Sequence, residues 1–250
     1  MSTQRSATVD PYARAREAVR TDFMLGIDIV LARAAHDPPS TQVVQTETPV
    51  APPAGNPEDA LAQLREQHDA ECQLCSRATH HTQTVFGEGN PNAELMFVGE
   101  APGAEEDRTG RPFVGRAGAK LDEMIRAMGF QREEVYIANV LKSRPPNNRT
   151  PLADEVDACG PFLAAQVRII RPTVIVSLGG PASKLLLETE QGITRLRGRW
   201  GTYNAADLQV PVMPTFHPAY ILRNPTREVR LEVWEDLQEV LKRLGRSVPS

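Results

Sequence analysis

The sequence predicts an α/β fold, in the form of a three-layer αβα sandwich with a central four-stranded, mainly parallel sheet. An N-terminal helix and a linker precede this domain. Two observations support the prediction: four short apolar runs are typical of buried strands, and helical segments lie between and after them. Such alternation implies a mainly parallel sheet with helices on both faces. A chain of 250 residues, 40% of them hydrophobic, is long enough for one main domain and an appendage.

The N-terminal part of the chain differs in pattern from the rest. Apolar residues recur at helical spacing between residues 11 and 34, which predicts an amphipathic helix within residues 1–36. Residues 37–57 are rich in Pro and Thr and predict a flexible linker. Asn56 is placed to cap a helix that begins at Pro57, so the main domain is expected at residues 58–250. The N-terminal helix is expected either to dock on a partner protein or to fold back on the main domain.

The main domain contains the alternating strands and helices. The apolar runs cover residues 94–99, 134–139, 173–179 and 210–215, and helices are predicted at about 117–128, 152–170, 181–187 and 226–244. In parallel sheets of this kind, ligands bind at the carboxyl ends of the strands. Unusual polar loops follow three of the four strands: residues 99–115, the loop that begins at Asn139, and residues 217–223. We therefore expect these loops to form one binding crevice.

Composition and charge narrow the class of protein. No apolar run is long enough to span a bilayer and the N-terminus lacks the apolar stretch of a secretory signal, so we expect a cytoplasmic protein without a membrane partner. We also expect the protein to be a monomer. The net charge of −4 gives no overall attraction to nucleic acid, so contact with DNA would depend on local basic clusters. These clusters are Arg195, Arg197 and Arg199; Lys142, Arg144 and Arg149; and Arg223, Arg227 and Arg230.

Residues 99–118 form a glycine-rich loop that leads into a predicted helix. Such a loop can cradle a phosphate at a helix N-terminus, but no Gly-Lys-Ser/Thr follows, so it is not a Walker loop. Its carboxylates repel an anion unless a metal ion intervenes; they are Glu100, Glu105, Glu106 and Asp107. One alternative function is therefore a nucleotide hydrolase that uses this loop with a divalent metal ion.

Three motifs stand out in the main domain: GEAPGAEEDRTGRPFVG (99–115), NVLKSRPPNNRTP (139–151) and HPAYILR (217–223). The first and third resemble the two signatures of the family 4 (iron–sulfur) uracil-DNA glycosylases, and the second is similar to the middle loop of that family. The resemblance covers about residues 65–245, in matching order and with similar spacing. It implies a DNA repair glycosylase that hydrolyses the N-glycosidic bond of uracil in DNA and leaves an abasic site.

The resemblance implies which residues hold the base. A glycosylase extrudes the target nucleotide from the duplex into a pocket, where Phe113 would stack on the base. Asn139 would accept a hydrogen bond from uracil N3–H and donate one to O4, whereas cytosine presents the opposite pattern at that edge. The remaining uracil-binding residues are expected to be Gly99, Ala101 and Glu106.

Cleavage of the bond requires catalytic groups on both sides of it, because positive charge develops on the sugar and negative charge on the base. Glu100 is the candidate for the sugar side, where it would stabilise the cation or orient the attacking water. His217 is the candidate donor to uracil O2. Either Glu106 or Asp107 is expected to border C5 and exclude the methyl group of thymine.

The HPAYILR motif supplies the expected DNA contacts. Ile221 or Leu222 is expected to wedge into the vacated base stack, and Arg223 to meet a phosphate. The alternative is that both aliphatic residues belong to the core. The middle loop contains no histidine, so it does not resemble relatives that trap the sugar covalently there, and ordinary turnover is expected.

The cysteines indicate a metal centre. The pair Cys72-x-x-Cys75 is typical of metal or redox chemistry, and the resemblance implies a [4Fe–4S] cluster with four cysteine ligands. This chain has three cysteines, the third being Cys159, and Ser143 stands where a further ligand is expected. A serine oxygen is a poor ligand for soft metals, which puts occupancy of the cluster in question.

Three outcomes stay open for this centre. The first is a cluster with Ser143, water or another side chain as fourth ligand. The second is a zinc site completed by His80 or His81, and the third is no metal. We expect a retained but more labile cluster.

A second alternative function is a DNA-damage-binding module that keeps the fold but is catalytically weak. The altered cysteine position is one way in which such a loss would arise. The presence of Glu100, Asn139 and His217 argues against this alternative.

Overall fold

A computed structural model describes residues 55–72, 75 and 81–249 of the chain. The predicted N-terminal helix and residues 37–54 of the predicted linker lie outside the described residues. No helix in the described part of the chain is both long enough and apolar enough to cross a membrane.

A six-stranded sheet forms the centre of the fold. Its strands are β1 (Glu88–Gly89), β2 (Leu95–Gly99), β3 (Tyr136–Asn139), β4 (Val174–Leu178), β5 (Gly201–Ala205) and β6 (Leu208–Thr215). They lie in the order β1-β3-β2-β4-β6-β5, with the four inner strands parallel and the two edge strands antiparallel to their neighbours. The predicted mainly parallel sheet is confirmed, but it has six strands instead of the predicted four.

The two additional strands carry no apolar run, which is why the sequence pattern did not indicate them. β1 has only two residues. The first four residues of β5 alternate between partly buried and exposed, and only Ala205 is buried. A strand that is solvated along one edge needs no continuous hydrophobic sequence, whereas the inner strands are covered on both faces.

Helices cover both faces of the sheet, as the sandwich prediction requires. They are α1 (Pro57–Glu71), α2 (Ala104–Thr109), α3 (Arg116–Ala127), α4 (Ala153–Ile170), α5 (Gly180–Leu187), α6 (Ile193–Leu196), α7 (Pro218–Arg223) and α8 (Arg227–Arg243). Alternate residues of β2 point to opposite faces: Phe97 packs in the cluster that includes Leu121 of α3 and Leu237 of α8, and Met96 packs in the cluster that includes Leu163 of α4. The four predicted helices of the domain are confirmed to within one residue at each end.

The start of α1 follows the predicted capping pattern. Asn56 Oδ1 accepts a hydrogen bond from the backbone N–H of Glu58 at 3.2 Å, and Pro57 occupies the first turn. An N-cap of this kind satisfies one of the backbone donors that a helix leaves unpaired at its N-terminus. It also places His68 and Cys72 at the far end of the helix.

A buried polar network attaches α8 to the end of β6. Asp236 of α8 is 1% exposed, and its carboxylate accepts a hydrogen bond from Thr215 Oγ1 at 2.7 Å. The Arg197 guanidinium donates to the other carboxylate oxygen at 2.9 Å. Thr215 is the last residue of β6, so this network fixes the strand end from which the 217–223 motif continues.

Replacing Asp236 by alanine is expected to lower the free energy of unfolding by about 3–5 kcal/mol, because the substitution deprives the largely buried Arg197 of its buried charge partner and leaves only the partly exposed Glu232. Chemical denaturation measures this loss. The matched control is Glu232→Ala, which removes a 3.4 Å ion pair between Arg197 and a partly exposed carboxylate and is expected to cost about 0–1 kcal/mol. Equal losses of unfolding free energy in the two variants would contradict the conclusion that Asp236 is the main charge partner of Arg197.

Candidate active site and candidate metal centre

A cleft of about 630 Å³ opens at the carboxyl ends of the four parallel strands. Its walls come from the loops that follow β2, β3, β4 and β6, so the three loops expected to converge do so, and a fourth joins them. Seven of the residues predicted for the site line the cleft: Glu100, Ala101, Glu106, Phe113, Asn139, His217 and Arg223.

Asn139 ends β3 and presents a buried amide to the cleft. Its side chain is 2% exposed, and its Oδ1 atom has no hydrogen-bond partner among the described residues. An unpaired buried acceptor of this kind costs about 1–3 kcal/mol, so a ligand donor that reaches it is favoured. Its backbone carbonyl accepts a hydrogen bond from Lys142 Nζ at 2.8 Å, which fixes the end of the strand.

Gly99 lies opposite Asn139 in the parallel pairing of β2 and β3. A Cβ atom at Gly99 would lie 2.4 Å from Asn139 Oδ1 and 2.6 Å from Phe113 Cζ. Both distances are too short for a side chain, so only glycine lets the Asn139 amide and the Phe113 ring pack this closely against the end of β2; Gly99 itself does not line the cleft. This is the physical reason for a glycine at the position predicted to bind the base.

Phe113 lies in the loop between α2 and α3 with a φ of 50°, in the left-handed region that L-residues rarely adopt. A Cβ atom at Gly118 would lie 1.9 Å from the Phe113 carbonyl oxygen, so only glycine allows α3 to approach this loop so closely. The Phe113 ring centroid lies 5.7 Å from that of His217, with an interplanar angle of 32°. The ring therefore forms one wall of the cleft.

Glu106 stabilises the glycine-rich loop from within. Its carboxylate accepts hydrogen bonds from the backbone N–H groups of Gly103, Val114 and Gly115 at 3.1, 3.0 and 3.2 Å. Asp107 is buried outside the cleft, where it accepts from the Thr82 backbone N–H at 2.7 Å. Of the two carboxylates considered for the C5 side of the base, only Glu106 lines the cleft.

His217 is the N-cap of α7, and its contacts determine its tautomer. Nδ1 accepts a hydrogen bond from the Ala219 backbone N–H at 3.1 Å, so in the neutral ring the proton resides on Nε2. Burial lowers the pKa of His217 to about 4, and the nearby charge of Arg223 contributes. The side chain is therefore a neutral hydrogen-bond donor at neutral pH.

Glu100 follows β2 directly and lines the cleft. Its backbone carbonyl accepts a hydrogen bond from the Leu141 N–H at 3.0 Å, which links the loops after β2 and β3. Burial raises the pKa of Glu100 above its ordinary value. The carboxylate thus lies in a partly desolvated position, where it attracts a cation more strongly than in water.

Some cleft residues were missed by the sequence analysis. Gly179 follows β4 with a φ of 89°, and a Cβ atom there would lie 2.9 Å from His217 Cβ. Tyr220 stacks on Phe216 with ring centroids 4.6 Å apart, and both line the cleft. The Gly179–Gly180 pair after the run TVIVSL was the available signal, because glycine at a strand end often marks a close approach of another segment.

Ile221 is placed in the core, which corrects its assignment as a DNA-contacting wedge. It is 4% exposed and belongs to the cluster on the α3 and α8 face of the sheet. Leu222 is only partly buried, and Arg223 is exposed and lines the cleft. Leu222 is thus the one of the two aliphatic residues that stays available for the wedge, and that role stays a prediction.

The three cysteines converge away from the cleft. Cys159 Sγ lies 3.9 Å from Cys72 Sγ and 3.6 Å from Cys75 Sγ, and all three residues are buried. Ser143 Oγ lies 3.3 Å from Cys75 Sγ. The histidine that joins them is His68, not His81, and its ligand atom and the three sulfurs all lie within 4.8 Å of one another. His80 lies outside the described residues. Three converging thiols and an imidazole fit a thiophilic metal centre.

Comparisons with known proteins identify the family of the chain. The model of the Uracil DNA glycosylase superfamily matches residues 86–238. A type-4 uracil-DNA glycosylase of Thermotoga maritima is 46% identical over 182 residues, which cover 72% of this chain and 93% of the relative. One from Sulfurisphaera tokodaii is 43% identical over 187 residues, or 73% and 84% of the two chains. A type-5 uracil-DNA glycosylase of Pyrobaculum aerophilum is 34% identical over 170 residues, or 62% and 72%. The chain therefore belongs to the uracil DNA glycosylase superfamily, in its type-4 branch.

Proposed function

We propose that this protein hydrolyses the N-glycosidic bond of uracil in DNA and leaves an abasic site, as the first step of base excision repair. The observation that carries the proposal is the unpaired, buried Oδ1 of Asn139 in the cleft. Uracil N3–H supplies the missing donor. Cytosine N3 is an acceptor, so cytosine leaves two acceptors facing each other, at about 1–3 kcal/mol for each unpaired group.

The cleft suits a base turned out of the duplex. A volume of about 630 Å³ holds a base and its sugar, and its walls are already formed. In this proposal Phe113 stacks on the base and Ala101 lines the pocket, while Gly99 leaves room for the Phe113 ring and the Asn139 amide. Glu106 borders the pocket and fixes the loop that carries Phe113. Unstacking the nucleotide costs a few kcal/mol, and contacts in the pocket offset that cost.

Catalysis is assigned to the groups on either side of the scissile bond. His217 donates from Nε2 to uracil O2 as negative charge develops there, and a preorganised donor of this type is worth roughly 3 kcal/mol. Glu100 stabilises the positive charge on the sugar or orients the attacking water. Both side chains line the same cleft as Asn139, which supports a shared substrate.

In this proposal the exposed end of α7 contacts the DNA backbone. Arg223 contacts a phosphate, and Leu222 enters the gap that the extruded base leaves. Binding should weaken as salt rises, in spite of the net charge of −4. A monomeric state, a cytoplasmic location and a protein partner for residues 1–36 stay predictions.

The proposal also includes a [4Fe–4S] cluster at Cys72, Cys75 and Cys159. Bound there, the cluster would cross-link the C-terminal end of α1, the segment that contains Cys75, and α4. It would supply structural support and no chemistry at the base. Lys142 precedes Ser143 and is completely buried, and its Nζ donates to the Asn139 carbonyl and to Gln166 Oε1 at 2.6 Å. The metal centre would therefore support Asn139 through Lys142.

The test is an excision assay on a labelled oligonucleotide that contains one uracil. Protein purified with its metal is incubated with the oligonucleotide in EDTA, and abasic sites are then cleaved with alkali. Cleavage at the uracil alone supports the proposal and excludes a nucleotide hydrolase that needs a dissociable divalent metal. Folded, metal-loaded protein that binds the oligonucleotide without cleavage would overturn the enzymatic proposal in favour of a damage-binding module.

The pH dependence of excision follows from the two catalytic groups. His217 must be neutral, with a pKa of about 4, and Glu100 must be ionised, with a pKa that burial raises. Both requirements fail as pH falls, so kcat/KM is expected to decline on the acid side and to be level near neutral pH. A Glu100→Gln variant should be slower at every pH, with its acid decline shifted towards the pKa of His217. A decline that begins instead as pH rises above neutral would contradict these protonation states.

A further inference from the structure

We propose that His68, not Ser143, supplies the fourth ligand of the metal centre at Cys72, Cys75 and Cys159. The centre is thus held by three thiolates and one imidazole. This inference rests on the metal part of the proposed function and is independent of the excision of uracil.

His68 lies on α1, one turn before Cys72, which is the C-cap of that helix, so the two side chains lie on the same side of it. His68 is 0% exposed although histidine is a polar residue. Its ligand atom and the sulfurs of all three cysteines lie within 4.8 Å of one another. Bonds from a zinc ion are about 2.0–2.3 Å long, so a single centre can reach all four donors after small side-chain adjustments.

The hydrogen bonding of His68 leaves one ring nitrogen for a metal. Nδ1 lies 3.0 Å from Asp69 Oδ1, which also accepts a hydrogen bond from Thr84 Oγ1 at 2.9 Å. A carboxylate only accepts, so Nδ1 carries the proton and Nε2 holds the lone pair. Nε2 is buried without a hydrogen-bond partner among the described residues. A carboxylate on one ring nitrogen and a metal on the other is the usual arrangement of histidine ligands.

Packing holds the imidazole ring in one orientation. The ring of His68 lies edge-to-face on Phe162, with centroids 4.9 Å apart, and tilted against Phe86 at 5.7 Å. Neither aromatic ring offers a strong hydrogen-bond acceptor or donor to Nε2. A fully buried lone pair in such surroundings costs about 1–3 kcal/mol unless it has a binding partner. Because the three cysteine sulfurs lie near the His68 ring, we infer that this partner is a metal ion.

Ser143 is better suited to supporting a thiolate than to binding the metal. Metal ligands must be deprotonated, and an aliphatic hydroxyl keeps its proton at neutral pH. The Ser143 hydroxyl lies 3.3 Å from Cys75 Sγ, within reach of a hydrogen bond to the sulfur. Once Cys75 is a thiolate, this hydroxyl donates to it, a contact typical of groups that surround a metal site.

Two kinds of metal centre accept this donor set. Zinc is commonly held by three cysteines and one histidine, and iron–sulfur centres accept histidine in place of cysteine. The shared requirement is a thiophilic metal with one imidazole nitrogen in its coordination shell. Metal analysis distinguishes the two kinds of centre, because an iron–sulfur cluster contains both iron and acid-labile sulfide and a zinc site contains neither.

The test compares three variants of the full chain with the unmodified protein, all purified anaerobically and dialysed against a chelator. The metal affinity of His68→Ala is expected to be at least about tenfold lower than that of the unmodified protein, whereas the affinity of Ser143→Ala should be nearly unchanged. His68→Cys replaces the imidazole by a thiolate and should keep the metal. Circular dichroism checks folding; if His68→Ala does not fold, His68→Cys and Ser143→Ala decide the question spectroscopically.

The direct readout is the coordination shell of the metal. With histidine labelled with ¹⁵N, pulsed electron paramagnetic resonance of a reduced cluster should detect a bound nitrogen, and X-ray absorption should detect one nitrogen beside three sulfurs if the metal is zinc. The nitrogen signal should be present in Ser143→Ala and absent in His68→Cys. Any of three results would overturn the inference: a coordination shell without nitrogen, loss of the metal when Ser143 alone is replaced, or metal-free protein after anaerobic purification.

The excision assay on the same preparations separates this inference from the proposed function. A nitrogen ligand in a protein that does not excise uracil would contradict only the function. Excision by protein whose metal has no nitrogen ligand would contradict only the role of His68.

Discussion

Replacing His217 by alanine is expected to lower the rate of uracil excision by about 10²–10³-fold, with little change in the affinity for uracil-containing DNA. The Nε2–H donor acts chiefly on the negative charge that develops on the departing base, so its loss raises the barrier more than it weakens the ground state. The donor is preorganised because Nδ1 is already engaged by the Ala219 N–H. No proton transfer from solvent is needed to prepare it at neutral pH.

The same substitution also removes the N-cap of α7, and a second variant separates the two effects. Asparagine caps helices well, so His217→Asn should preserve the helix N-terminus, whereas its shorter side chain does not place a donor where Nε2 lies. Single-turnover rates should fall to a similar extent in both variants. A rate in His217→Asn within about threefold of the unmodified protein would show that capping, not hydrogen bonding to the base, accounts for the loss.

Replacing Asn139 by alanine is expected to lower kcat/KM for uracil by roughly 30-fold or more, since two hydrogen bonds worth about 1–3 kcal/mol each are lost. One of them is the bond that the buried Oδ1 requires, because it has no other partner among the described residues. Discrimination between uracil and cytosine should decline together with the rate. Cytosine makes no favourable hydrogen bonds with Asn139, so the substitution costs it none and the ratio of kcat/KM for uracil to that for cytosine should fall.

A matched asparagine on the surface provides the control for Asn139. Asn204 lies exposed on the edge strand β5, where its Oδ1 accepts a hydrogen bond from Gln209 Nε2 at 3.1 Å. Asn204→Ala should leave kcat/KM and the melting temperature nearly unchanged. The measurement compares the excision rates of each variant on uracil and cytosine substrates. The affinity for an abasic oligonucleotide shows whether DNA binding is intact. An Asn139→Ala variant with an unchanged rate would remove the basis for assigning uracil to the cleft.

Several parts of the molecule could be predicted from local sequence, and others could not. Asn56 with Pro57 predicted the start of α1, because capping involves neighbours along the chain. Ile221 was ambiguous because an aliphatic residue in a functional motif can face either the core or a ligand, and only the packing of α7 against α3 decides. His68 was overlooked because its spacing of four residues from Cys72 acquires meaning only once Cys159 is brought beside both.

The sequence by itself determined the four inner strands, the helices between them and the end of the sheet at which polar loops meet. Periodicity and motif spacing encode these features, since they depend on burial of whole segments and on contacts between near neighbours. Only the tertiary structure decided the antiparallel edge strands, the position of Glu106 in the cleft with Asp107 outside it, and the convergence of His68 with the cysteines. These features depend on contacts between distant segments, where a rotation of one helix or a shift of one loop exchanges which side chain meets which.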